Sequence, residues 1–384
     1  ARFICGDSVY AYGVPSQRER FKYRAGFEHC IDHFTAKGVN MPYLKELCSR
    51  TNMNNPANAL WKLTAFREEF RQKPYELIDI QESKIAYHAG ATLEQAQPVG
   101  HSVIEVNSRE DLQAVLNTNA GSGKTLFLRA GEYRLKQSLT IPSDIHICGE
   151  GRSTVLICEP TIRTAAILLG DLDAKNITIE NLVVDGSKEH QEAYDPNSGR
   201  FYRTGRYSNA LAGISMRGEA GHAFSNIKLK NLTVINFSRS GVYISDAEGI
   251  EIDHCDFTEN GAHVVPGPRL QHNLMIQHSS NIMIKDSRFD TSIRGCGLVL
   301  DHCKSLKVEN CEIARNGWHG LLMAECHNGK IENCLVEGND GCGFMGEYLH
   351  DGSNLIQIRH NKIQYNNEYG IRAFGMKETD IKDN

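Results

Sequence analysis

Histidines and carboxylates recur at fixed offsets in the second half of this 384-residue chain. Asp301 precedes His302, Glu325 ends the run Leu-Leu-Met-Ala-Glu, and Glu347 opens Glu-Tyr348-Leu-His350-Asp351. His319 stands before a glycine, and His272 and His278 bracket the run from Asn273 to Gln277. Imidazole and phenol can take and return a proton near neutral pH once positioned, so His302, His319 and His350 with Tyr348 are candidate acid/base groups. Asp301, Glu325 and Glu347 are candidate catalytic carboxylates. Arg217, His272, Gln277, His278, Asp351 and Arg372 are candidate substrate contacts beside them.

These residues acquire a common frame from a repeat. Segments starting at Gly241, Asn273, Gly297, Gly320, Gly343 and Gly370 begin 32, 24, 23, 23 and 27 residues apart, and the interval marks a solenoid. Leu298 and Leu300, Leu306 and Val308, and Cys311 and Ile313 alternate with polar residues, as half-buried strands do. Three short strands per turn with no helical stretch between them predict an all-β parallel β-helix. A single turn cannot bury its apolar face, so the turns must stack. Asp286, Asn310 and Asn333 fall at one corner and Asn260, Asn316, Asn339 and Asn366 at another, where asparagine tolerates the left-handed backbone. Stacking then sets Arg217, Ser245, Gln277, Asp301, Ala324 and Glu347 in one outward row, with His278, His302, Glu325 and Tyr348 at the corner that follows.

Insertions single out the same face. Residues 185–212, 261–272 and 349–354 interrupt the repeat, and all three border the sheet that starts each coil. They would wall a groove along it. The first insertion interleaves Tyr194, Phe201, Tyr202 and Tyr207 with Arg200, Arg203 and Arg206. Rings stack on sugar faces and guanidinium forks suit carboxylates or sulfates, so Tyr202 and Arg203 join the substrate-binding candidates and an acidic glycan is the expected partner.

Composition excludes other classes. A net charge of −5 carries no nucleic-acid signal, and no apolar run approaches a membrane span. Secretion or a periplasmic location is expected. Twelve cysteines include no Cys-x-x-Cys pair, so no metal ligands are assigned. Cys255, Cys311 and Cys334 share one inward column and Cys303 and Cys326 another, as small apolar fillers. Cys5, Cys30 and Cys48 lie outside the repeat. Gly121-Ser-Gly-Lys-Thr125 lacks the first glycine of a phosphate loop and reads as a turn. Residues 1–98 show apolar spacings of three and four, ending near Pro74, and predict a small helical N-terminal subdomain that caps the solenoid of residues 99–384.

The segment 103–157, with a strand, an amphipathic helix around Leu112, Val115 and Leu116, a strand and a Gly-rich turn, together with the coils after it, resembles the pectin-lyase-like superfamily of right-handed parallel β-helix proteins. The resemblance covers residues 100 to 384. It implies a carbohydrate-active protein and leaves the reaction open, because lyases, hydrolases, epimerases and tailspikes share the fold. The stretch from Glu347 to Ile371 is similar to mannuronan C5-epimerases, in which Asp-Pro-His-Asp/Glu leads into a coil ending Asn-x-x-His-Gly. His350 and Asp351 match the His-Asp part and His319 carries a His-Gly. Leu349 stands in place of the proline, and Tyr369 in place of the histidine. Proton abstraction from a uronic acid, by a lyase or epimerase, is therefore the leading expectation, with no cofactor required and calcium admitted as an assisting ion. The alternative is an inverting hydrolase using Asp301 and Glu347, two coils apart and thus on the order of 9 to 10 Å. A non-catalytic glycan-binding or tailspike-like protein is the third.

Overall fold

The computed structural model describes residues 102–384 apart from 172, 188, 191–192, 196–199, 203–205, 208–209, 219–223, 262–270 and 348–350. The helical segments expected within 1–98 lie outside the described residues, as do Tyr348, His350 and Arg203. The described part of the chain opens with a strand, Val103–Val106, and a helix α1, Leu112–Thr118. Asp111 caps the helix by accepting from the Ala114 N–H at 3.1 Å, and Leu112 and Leu116 turn into the core.

From there the chain winds as a parallel solenoid with three faces. One face is a nine-stranded sheet: Leu139–Ile141, Ala165–Leu169, Ala212–Arg217, Ser240–Ser245, Leu274–Gln277, Leu298–Asp301, Leu321–Ala324, Phe344–Glu347 and Ile371–Ala373, each parallel to the next. The other two faces merge into one sheet, because Lys175–Asp185 and Phe224–Ile235 run unbroken through the corner between them. Asn181 and Asn231 turn that corner in the left-handed conformation, at φ 57° and 47°. In later coils His254, Asp286, Asn310, Asn333 and His360 do the same. Asn310 and Asn333 therefore behave as their sequence position predicts.

The second asparagine column does something else. The left-handed residue at that corner is the one before, Glu259, Thr291, Arg315 or Tyr365. Asn260, Asn316, Asn339 and Asn366 instead turn inward and are buried. Their amides form a ladder along the solenoid: Asn316 Nδ2 donates to Asn339 Oδ1 at 2.9 Å, and Asn339 Nδ2 to Asn366 Oδ1 at 2.8 Å. Each also satisfies a backbone carbonyl of the preceding coil, so buried polar groups are paired coil by coil. The ladder explains the glycine that opens most coils. A Cβ at Gly241, Gly297, Gly320 or Gly343 would come within 2.6 to 2.7 Å of the ladder amide of its own coil. Asn273 opens the one of these coils whose ladder position holds serine, Ser292. Its side chain fills the vacated rung, with Oδ1 accepting from Asn260 at 3.0 Å and Nδ2 donating to Asn316 at 3.1 Å.

Between the sheets lies a continuous apolar core. Ile214, Val242, Leu274, Leu298, Leu321 and Phe344 stack in one inward row of the first sheet, each at most 1% exposed. All nine cysteines among the described residues are buried and free, with Cys255, Cys311, Cys334, Cys303 and Cys326 in the predicted columns. They are more than fillers, however. Cys311 Sγ donates to the Glu309 carbonyl at 3.2 Å, and Ser287, in the same column, donates to Lys285 at 2.6 Å. A small side chain with a donor closes this corner.

Candidate functional site

The nine-stranded sheet carries the site, and pairing register makes its rows explicit. Arg217, Ser245, Gln277, Asp301, Ala324 and Glu347 are consecutive partners in one outward row. Ser215, Tyr243, Met275, Val299, Leu322, Met345 and Arg372 form the parallel row two residues earlier. Over the first strands of these rows lies a groove of about 630 Å³, lined among others by Leu168, Arg217, Arg239, Tyr243, Met275 and Gln277. Arg217 and Arg239 are exposed, and none of the described residues lining the groove is acidic. An anion entering it meets two guanidinium groups.

A chain of contacts leads out of the groove across four coils. The Arg217 guanidinium lies over the Tyr243 ring, 4.5 Å from its centroid, a cation–π contact. Tyr243 Oη donates to Gln277 Oε1 at 2.6 Å, and Gln277 Nε2 donates to Asp301 Oδ2 at 2.6 Å. The other oxygen, Oδ1, is 2.7 Å from His302 Nδ1. His302 stacks against His278, with ring centroids 4.7 Å apart. Both histidines occupy the left-handed corner after the strand, at φ 52° and 46°. The carboxylate thus holds one imidazole nitrogen and turns the other away from itself, the arrangement that fixes a tautomer for proton transfer. The His302 side chain is 36% exposed, so its ring is open to a ligand, whereas Asp301 at 18% is braced from both sides.

Arg217, Gln277, His278, Asp301 and His302 are therefore brought together, and Glu347 lies further along their row. Six other candidates are placed differently. His272 and His319 are buried, each 3% exposed, and each Nδ1 accepts a backbone N–H of the next coil, from Cys296 at 3.0 Å and from Cys342 at 2.9 Å. They are buried spacers, alternating with Cys296 and Cys342 in the residue before each strand; those cysteines pack against Val299, Leu322 and Met345 on the outward side of the sheet, and neither histidine is among the residues lining the groove. Burial pushes the His272 imidazole down to about 4, so it stays neutral. Glu325 is buried at 6%, and its Oε2 accepts the backbone N–H groups of Asp351 and Gly352 at 3.0 and 2.9 Å. That carboxylate anchors the end of the 349–354 insertion. Asp351 itself is exposed. Arg372 sits in the last coil, 5.7 Å from the Tyr369 and Phe374 ring centroids, remote from the groove lining. Tyr202 lies in a short antiparallel pair, Ala193–Asp195 with Arg200–Tyr202, inside the first insertion.

Sequence reading missed Tyr243 and Arg239. Tyr243 is two residues before its row's Ser245 and so on the same outward face, a period-two signal that was available. Arg239 precedes a coil start, where nothing local says which way a side chain turns.

The chain matches the family described as right handed beta helix region over residues 172–384, more than half its length. No match is found among curated protein sequences. Among solved structures, the surface adhesin PfbA of Streptococcus pneumoniae is similar at 10% identity, over 72% of this chain and 79% of that one, with a TM-score of 0.53. The A-module of the Azotobacter vinelandii mannuronan C-5 epimerase AlgE4 is similar at 16% identity, over 73% and 96%, with a TM-score of 0.34. Polygalacturonase from Erwinia carotovora is similar at 13% identity, over 75% and 95%, with a TM-score of 0.43. At such identities the likeness concerns the fold. The stacked parallel coils and the match across most of them make this chain a member of the right-handed β-helix family.

Proposed function

We propose that the chain is an enzyme that binds an acidic polysaccharide in this groove and abstracts the proton alpha to a uronate carboxylate, as a lyase or C5-epimerase does. The observation that carries the reading is the Asp301–His302 pair at 2.7 Å, placed beyond a groove whose described lining presents Arg217 and Arg239 and no carboxylate. A uronate chain laid along the solenoid axis sets a carboxylate against the arginines and brings a neighbouring sugar towards His302. His302 accepts the proton through Nε2, while Asp301 stabilises the imidazolium that results. Tyr348 and His350, one and three residues after Glu347, are the proposed proton partners. Calcium is an admissible aid to carboxylate neutralisation. Such a substrate is met outside the cytoplasm, and a secreted or periplasmic location is part of the proposal. Among the described residues no helix is long and apolar enough to cross a membrane.

A second reading rests on the register. Asp301 and Glu347 share a row two strands apart, near the upper spacing of an inverting hydrolase pair at roughly 9 to 10 Å. The bracing of both Asp301 oxygens by Gln277 and His302 favours the first reading, because it leaves the carboxylate oriented for the imidazole.

One assay separates them. Uronate polymers are incubated in deuterated water, and deuterium at the alpha carbon, unsaturated ends and new reducing ends are measured together. Proton abstraction gives deuterium or unsaturation, and His302→Ala lowers it by about 10² to 10⁴. Reducing ends without either, abolished by Asp301→Asn and Glu347→Gln but not by His302→Ala, assign hydrolysis. Binding that needs Arg217, with no turnover on any uronate polymer, assigns a glycan-binding protein.

A further inference from the structure

We propose that His146, Cys148 and Glu180 form a divalent-metal site suited to zinc, on the second face of the solenoid and apart from the groove. The strand Ile145–Gly149 buries Ile145 and Ile147 in the core, which turns His146 and Cys148 together to its other side. Cys148 pairs in register with Glu180 of Lys175–Asp185, so the third ligand arrives from the neighbouring coil. The three ligand atoms lie within 4.8 Å of one another, and His146 Nε2 is 2.9 Å from Glu180 Oε1. A tetrahedral zinc ion with bonds of about 2.0 to 2.3 Å needs its ligands roughly 3.3 to 3.6 Å apart, so small side-chain shifts admit it.

Donor chemistry selects the metal. One nitrogen, one sulfur and one oxygen suit zinc and neighbouring transition metals, not calcium, which takes oxygen alone. The surroundings are built for ligation as well. Thr125 Oγ1 is 3.0 Å from His146 Nδ1 and can accept its proton, leaving the Nε2 lone pair to face Cys148 and Glu180. Asn181 Nδ2 is 3.4 Å from Cys148 Sγ, a donor that supports a thiolate. Without an ion, burial pushes the Cys148 thiol up to about 11; a bound ion displaces that proton to solvent, one per metal.

Two further clusters of this type are weaker. In His319, Cys342 and Glu368, the His319 Nδ1 already accepts the Cys342 N–H, so the neutral ring carries its proton on Nε2 and offers no lone pair. In Asp253, His254 and Asp286, Lys285 Nζ stands 3.3 Å from Asp253 and supplies the cation.

The test is titration of the full chain with Co²⁺ under reducing conditions, reading the thiolate-to-cobalt charge-transfer band. The expected result is a band that saturates at one equivalent, is displaced by Zn²⁺, vanishes in Cys148→Ala and persists in Cys342→Ala. Thr125→Val, which removes only the group orienting His146, should weaken Co²⁺ about 10- to 100-fold with unchanged circular dichroism. If Cys148→Ala does not fold, Glu180→Gln decides: unchanged affinity overturns the site and a loss of tenfold or more supports it. No thiolate band in the unsubstituted protein, or a band that survives Cys148→Ala, overturns it outright.

Discussion

Exchanging the two residues that share one corner, Gly297 and Asn316, probes how the coils are held in register. Asn316 is fully buried and makes four hydrogen bonds: its Oδ1 accepts from Ser292 N at 2.9 Å and Asn273 Nδ2 at 3.1 Å, and its Nδ2 donates to Phe289 O at 3.0 Å and Asn339 Oδ1 at 2.9 Å. Asn316→Ser shortens the side chain and strands the Ser292 N–H and the Phe289 carbonyl. At about 1 to 3 kcal/mol for each buried group left unpaired, the change should cost roughly 3 to 5 kcal/mol. Gly297→Asn alone drives a Cβ to 2.6 Å from Asn316 Nδ2 and 2.7 Å from Ile313 Cγ2, an overpacking cost of about 1 to 3 kcal/mol or more. The double change reproduces what Asn273 and Ser292 already do in the preceding coil, where the rung is supplied from the coil start. It should therefore be less destabilised than the sum of the singles by about 2 kcal/mol, the coupling expected of contacting residues. Urea unfolding followed by circular dichroism measures all three variants, with coincidence of a second probe checking that the solenoid unfolds in one step. A double mutant as unstable as the sum would refute shared space at this corner as the reason for the glycine. The corner matters for function because it sets where each strand of the groove-bearing sheet begins.

Other outcomes follow from the same contacts. Cys311→Ser should cost no more than about 1 kcal/mol, because Ser287 already fills that column with its hydroxyl bonded to the backbone at 2.6 Å; a larger shift in the urea midpoint would mean that the thiol packs as pure hydrocarbon. His272, held near 4 against an ordinary 6.5, contributes stability that is complete above pH 6.5 and is lost as pH falls from there towards 4, about 3 kcal/mol in all. Comparing urea midpoints at pH 7.5 and 4.5 in the wild type and His272→Gln checks this, and an equal loss in both proteins would sink it.

Repetition made much of this protein legible in its sequence. Period-two alternation is local, so the inward row of Leu274, Leu298 and Leu321 and the outward row of Arg217, Gln277, Asp301 and Glu347 could be written down before any coordinates, and the insertions named the face that carries a groove. Left-handed corners at Asn310 and Asn333 followed from residue type. Beyond the strands that logic fails, because a side chain at a corner has no periodicity to say which way it turns. Only the three-dimensional arrangement shows His272 and His319 buried, each accepting the N–H of Cys296 or Cys342, and His278 and His302 stacked on each other at the surface. Likewise Glu325 reads as a free carboxylate until the next coil brings the Asp351 and Gly352 amides onto it. Tyr243, Gln277 and Asp301 become one chain of contacts because stacking sets residues 24 to 34 positions apart side by side, and His302 joins it as the next residue after Asp301. The strand pattern is decided by neighbours in sequence, whereas the contacts that tie the groove to Asp301 are decided by neighbours one coil away.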